Sequence, residues 1–467
     1  MNRMKKITLI IFVTISLQGY CQEKTILEKP KVDRRVELLS IVFRLAEARE
    51  YSSTMFKPYT DRIEKHFGIY KNHELIDFTK SIIKSNGISY DAVMSLAIHL
   101  DENLNLLTTV TDNSLERRWT KEKAAQFVSL LKKFYKDSNC EKFFKDNADL
   151  YAEASNRIIP VYENIDLKWY HSFFGKEPNE KFIIIIGLGN GPGSYGVSIH
   201  FQNGNKDVYA IIGTWMVDST ELPVFQINAY SLTLIHEFNH SFINYLTEKN
   251  KDLFRESGEK IFAVLESEMK AQAYGNWETM LNEALIRAAV IKYMKDHNYS
   301  EQEISQTTQN EINRGFIWIK ELIAELENYD KQQNLYRTLE NYMPILAESY
   351  KTYAKTVQEI DNKRPKVISI DEFSNGDTNV DATITTITIN FNISLSGKGY
   401  SFFLGDKGKE AFPKVEKVEY INGNKSVVMH VALEKEKEYQ FIVKGKSFMS
   451  VDSVPIKDYE INFKTKK

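Results

Sequence analysis

Ser231-Leu-Thr-Leu-Ile-His-Glu-Phe-Asn-His-Ser-Phe-Ile-Asn-Tyr-Leu246 is the stretch on which the reading of this chain turns. Leu232, Leu234, Ile235, Phe238, Phe242, Ile243 and Leu246 recur at helical spacing, which predicts a helix. His236 and His240 stand one turn apart on it, so both imidazoles reach one point above the same face. Histidines that converge in this way are a metal-binding pattern, and Zn2+ is the ion expected. Glu237 lies about 100° further round the helix, near enough to take a proton from water at the metal without being a ligand. The plain alternative is two histidines on a buried helix face.

A catalytic zinc site usually has three protein ligands. Three and six residues beyond His240, where the metzincin pattern needs Gly and His, stand Ile243 and Leu246, so that pattern is excluded. A glutamate from a later helix is therefore expected. The run Asn276–Tyr293 carries Glu283 among Met280, Leu281, Ala284, Leu285 and Ala288, where a carboxylate should be paired or metal-bound. Arg287, its i+4 neighbour, is expected to orient it. Glu278, Glu266 and Glu268 stay open as alternatives, as does a plain Glu283–Arg287 surface pair. Glu237 would act as general base and pass its proton to the leaving amine of a peptide bond. Candidates for a donor to the oxyanion are Tyr274, Arg287, Tyr293 and His297.

The stretch before the motif reads as sheet. Phe182–Ile186 is a short apolar run, and Tyr195–Phe201 and Lys206–Gly213 flank the hairpin signal Asn203-Gly204. A small, mostly antiparallel sheet is expected. Gly196, Val197 and Ser198 are its candidate substrate-binding edge, where an extended peptide would add as an extra strand. The alternative is a hairpin that only supports the core. The intervening Gly187-Leu-Gly-Asn-Gly-Pro-Gly-Ser194 has no Lys-Ser/Thr ending and no helix behind it, so it is not a phosphate cradle. It reads as a loop that lets a substrate backbone approach.

Residues 1–21 have a basic start, an apolar stretch at Ile7–Leu17, and Gly19 and Cys21 before Gln22. That is a secretory signal peptide, implying a periplasmic or secreted protein; a lipoprotein anchored at Cys21 is the alternative. No later stretch is apolar for long enough to span a membrane. Cleavage leaves Cys140 alone, so no intramolecular disulfide is expected. The net charge of −2 and pI near 6.6 argue against nucleic acid as a partner. Residues 22–170 read as helical and 171–360 as the metal-bearing domain. Residues 361–366 read as a linker, and 367–467 as a β-sandwich of about seven strands.

His-Glu-Phe-Asn-His with the later Asn-Glu-Ala-Leu-Ile-Arg-Ala resembles the gluzincin metallopeptidases, in which a Glu on a following helix is the third ligand. Residues 33–360, with Arg35-Val-Glu-Leu-Leu-Ser40, resemble an uncharacterised family of secreted bacterial proteins, a domain of unknown function. That resemblance implies a zincin-like fold and no known substrate. Residues 365–467 resemble a bacterial Ig-like domain found after S-layer and surface enzymes, on Pro365–Ile370, Thr383–Phe391 and Tyr439 to Tyr459–Thr465. It implies spacing or adhesion at the cell surface. The expected fold class is α+β, and the expected activity is that of a secreted zinc metallopeptidase. A non-catalytic surface binding protein and a zinc amidase acting on cell-wall fragments are the alternatives.

Overall fold

Phe182, Ile183, Ile184, Ile185 and Ile186 are all buried in strand β2 (Lys181–Gly187), on both of its faces. An apolar run without alternation suits a parallel strand covered on both sides. Strand β2 accordingly pairs in parallel with β1 (Lys31–Val32) on one side and with β4 (Lys206–Gly213) on the other. Only β3 (Tyr195–His200) runs antiparallel, along the outer side of β4. The sheet is mixed, in the order β1-β2-β4-β3, which corrects the mostly antiparallel expectation. The Asn203-Gly204 turn reports only the pairing of β3 with β4. Nothing local reports that β4 inserts beside β2.

The structure is a computed structural model and describes residues 27–111, 113–176, 180–452 and 454–467. The expected signal peptide and Cys21 lie outside these residues. Helix outweighs strand, about 51% to 17%, and the chain is α+β. Helices Arg34–Leu45, Glu74–Asn86 and Lys121–Asp137 lie in the stretch that reads as helical, and Trp277–Asp296 covers the run that carries Glu283. Beyond Ser138 the helix is broken into the short pieces Cys140–Asp146, Ala148–Arg157 and Ile159–Glu163. Among the described residues, no helix is long and apolar enough to cross a membrane.

The chain divides into two compact units. The first runs to Leu253 and takes in Glu278–Leu346. Helix Ile227–Lys249, which carries the motif, packs on β3 and β4; helices Arg34–Leu45 and Asp91–Ile98 pack on the sheet as well. The glycine loop is shaped by this chain's own packing. A Cβ on Gly189 would stand 2.8 Å from Ser40 Cβ, and one on Gly191 2.3 Å from Ser53 Cβ. Glu37 is fully buried beneath the loop and accepts the N–H groups of Leu188 (2.6 Å) and Gly189 (3.2 Å).

The second unit comprises Phe254–Trp277 and Ala347–Lys467. Its strands are β5 (Val367–Ile370), β6 (Thr386–Phe391), β7 (Phe402–Leu404), β8 (Lys414–Ile421), β9 (Ser426–Ala432), β10 (Glu438–Val443) and β11 (Tyr459–Lys464). They form two antiparallel sheets, β5-β6-β9-β8 and β11-β10-β7. Ile387, Ile389, Val427 and Met429 of one sheet share a core with Phe441 and Ile461 of the other. Strand β8 has no clean alternation because a register shift between Val415 and Lys417 breaks its period of two. The expected linker at 361–366 is not slack. Its helix continues to Asn362, and buried Arg364 bonds Asp361 (2.9 Å) and the Pro455 carbonyl (2.9 Å).

Burial raises the Glu37 carboxyl from 4.5 to about 7, against the opposing hydrogen bonds from Tyr59, Leu188 and Gly189. The folded state then holds a proton that the unfolded chain has released between about pH 4.5 and 7. Stability contributed by this group therefore falls as pH rises through that window, by up to about 3 kcal/mol. Chemical denaturation of the wild type and Glu37→Gln should show a wild-type disadvantage that grows from pH 4.5 to 7 and then levels. A constant difference between the two would refute the shift.

Candidate metal centre

Helix Ile227–Lys249 places His236 and His240 on one face, their ring centroids 5.1 Å apart. Helix Trp277–Asp296 lays Glu283 across them. One Glu283 oxygen lies 3.7 Å from His236 Nε2 and the other 3.6 Å from His240 Nε2. These separations exceed hydrogen-bond length. Each histidine faces a different Glu283 oxygen, at a separation close to the roughly 3.3 Å between donor atoms on a tetrahedral ion. His236, Glu237 and His240 also bring one ligand atom each to within 4.8 Å of one another. Both imidazoles keep a fifth of their side chain exposed, so the point they face is reachable from solvent.

Electrostatics favour the ligand forms. Burial, aided by the charges of His240, Arg287 and Arg314, lowers the His236 imidazole well below its usual range, although Glu283 opposes it. A neutral imidazole is the metal-binding form. His240 Nδ1 lies 3.4 Å from Asn244 Oδ1, which leaves Nε2 turned to the centre. Glu237 is raised to about 7 by burial, and the Gly196 N–H bonded to its carboxylate opposes the rise. Its Oε2 stands 3.9 Å from His240 Nε2.

Gly196 is where strand and helix touch. A Cβ there would stand 2.3 Å from the Glu237 carbonyl oxygen. Only hydrogen on that Cα lets β3 lie flat on the motif helix. Val197 is buried on the opposite face, and Ser198 is half-buried.

Arg287 spans two carboxylates. It bonds Glu283 Oε2 (3.1 Å) and Glu311 Oε2 (3.0 Å), and its guanidinium lies over Phe316 at 5.3 Å. Glu311, in helix Glu301–Asn313, also pairs with Arg314 at 3.3 Å. Glu311, Arg314 and Asn244 escaped the sequence reading. Asn244 was findable as the i+4 neighbour of His240. Glu311 had no signal beyond being a carboxylate on a polar helix.

The other candidates fall elsewhere. Glu278 is five residues before Glu283, about 140° away around the same helix. Tyr293 stacks on His297 at 3.8 Å and accepts the Asp166 N–H (3.3 Å), and His297 meets Asp166 Oδ2 at 3.2 Å. Tyr274, Glu266 and Glu268 belong to the second unit; Glu266 pairs with Lys270 at 2.7 Å and Glu268 accepts the Ser267 hydroxyl at 2.6 Å. Cys140 is buried, its thiol pushed up to about 12 by burial, which suits a packing residue.

This is an α+β protein whose His-Glu-x-x-His helix faces a carboxylate on a second helix. Residues 29–348 match the family described as Domain of unknown function (DUF4932), and the chain belongs to that family. No curated protein matches it. Among solved structures, the S-layer protein rSbsC(31-844) is 11% identical at a TM-score of 0.18, covering 83% of this chain and 45% of its own. The N-terminal part of the bacterial S-layer protein SbsC is 12% identical at 0.18, covering 81% and 79%. This chain therefore spans less than half of the first of these, and at such scores neither likeness carries an argument.

Gly196→Ala should destabilise the first unit by about 1–3 kcal/mol through overpacking. Urea denaturation of the two proteins measures it, and an unchanged midpoint would contradict the close approach.

Proposed function

We propose that this chain is a secreted zinc metallopeptidase of gluzincin type, with a zincin-like first unit. The carrying observation is Glu283, whose two oxygens lie 3.7 and 3.6 Å from the Nε2 atoms of His236 and His240. Those three residues would hold the ion. When bound, zinc supplies Lewis acidity, making water a nucleophile near neutral pH and polarising a carbonyl. Glu237 takes the proton of the attacking water and delivers it to the departing amine. The Gly196 N–H, on the strand that lies against Glu237, favours the charged form of that carboxylate. Arg287, spanning Glu283 and Glu311, holds the ligand carboxylate in place and is thereby occupied as an orienting group. The outer edge of β3 beside Glu237 would receive the peptide backbone.

The same reading takes residues 1–21 as the export signal and the paired sheets of the second unit as an Ig-like spacer at the cell surface. Support for both is the sequence pattern. The moderate net charge fits a protein substrate rather than nucleic acid.

Purified Gln22–Lys467 should bind one zinc per chain, read by elemental analysis after dialysis. Glu237→Gln should keep the zinc and lose activity on a peptide library by about 10²–10⁴-fold. A chain without zinc, or a Glu237→Gln variant that still cleaves, ends this reading. Glu311→Gln should weaken zinc affinity by about 10–100-fold, measured by chelator competition. Unchanged affinity would remove Glu311 from the support of the site.

A further inference from the structure

The outer side of β3 is closed at one end. His200 turns its backbone outward, donating its N–H to Ser114 Oγ (2.8 Å) and accepting the Thr111 N–H at its carbonyl (2.8 Å). Gln202 donates its N–H to the Thr109 carbonyl (2.8 Å), and Val110 faces Phe201. Residues 109–111 thus lie along the strand's outer side as a short antiparallel cover. The Gln202 side-chain amide adds bonds to the carbonyls of Thr108 (3.2 Å) and Val110 (3.1 Å). Buried His99 pins the far side: its Nε2 lies 2.7 Å from Ser114 Oγ and its Nδ1 2.6 Å from the Ser95 carbonyl. Five hydrogen bonds to His200 and Gln202 anchor this cover.

Backbone groups alternate sides along an antiparallel strand. Gly196 and Ser198 therefore turn outward with His200. The Gly196 N–H reaches Glu237, at the candidate centre. Among the described residues, no backbone group beyond β4 pairs with Ser198. The open edge thus begins beside the base and ends at His200.

We infer that the Thr108–Thr111 cover is a stop that restricts the site to short peptides or chain ends. This rests on the peptidase reading above. Four strand steps from Gly196 to His200 span roughly 13 Å. A peptide laid along the edge from the attacked bond has room for about three residues before it meets the cover. Longer extension on that side has no edge left to pair with and a pinned backbone in its path.

The test is a digest of random 14-residue peptides by zinc-loaded Gln22–Lys467, with cut positions read by mass spectrometry. Cuts should fall within about three residues of one terminus, at least tenfold favoured over interior positions. Cuts spread evenly along the peptides overturn the stop and leave the peptidase standing. No cuts, or cuts that persist in Glu237→Gln, remove the peptidase reading and the stop with it. In Ser114→Ala/Gln202→Ala the share of interior cuts should rise several-fold. A folded double variant with the wild-type cut pattern also overturns the stop; if it does not fold, the wild-type pattern decides.

Discussion

Strand β3 and the motif helix meet at a contact that only glycine permits, with the Gly196 Cα against the carbonyl of Glu237. Much of the candidate site depends on this approach. It puts the strand's outward N–H within reach of the Glu237 carboxylate. It also brings an open length of sheet edge alongside two histidines. A side chain at position 196 would press the strand away from the helix, parting the sheet edge from Glu237 and the two histidines.

The second constraint is charge in a buried place. Glu283 and Glu311 are both buried, each mostly shielded from water. A carboxylate in such surroundings is costly unless partnered. Arg287 stands between the two and bonds to each. With Arg314 against Glu311, two guanidiniums stand against the two carboxylates. The oxygens of Glu283 face His236 and His240, and burial keeps the His236 ring neutral.

The parts that could be read from the chain are those with a local cause. Helical spacing around His236 and His240, the i+4 relation of Glu283 to Arg287, and the Asn203-Gly204 hairpin all act within a few residues. The parallel partnership of β2 and β4 was only hinted at by the unalternating Phe182–Ile186 run. The glycine loop was legible as a loop and misleading as to its purpose. Its glycines make room for Ser40 and Ser53, which lie more than 130 residues earlier in the chain.

By itself the sequence determined the motif helix, the pair of histidines on one of its faces and Glu237 beside them, because a helix sets side-chain directions from spacing alone. It favoured Glu283 as the carboxylate facing them by the apolar company that residue keeps, with Glu278, Glu266 and Glu268 left open. Tertiary structure decided everything that depends on two distant segments meeting. Gly196 lies against Glu237, Glu311 reaches back to Arg287, and residues 109–111 cover one end of β3. No spacing rule encodes such contacts, because they are set by the packing of whole elements.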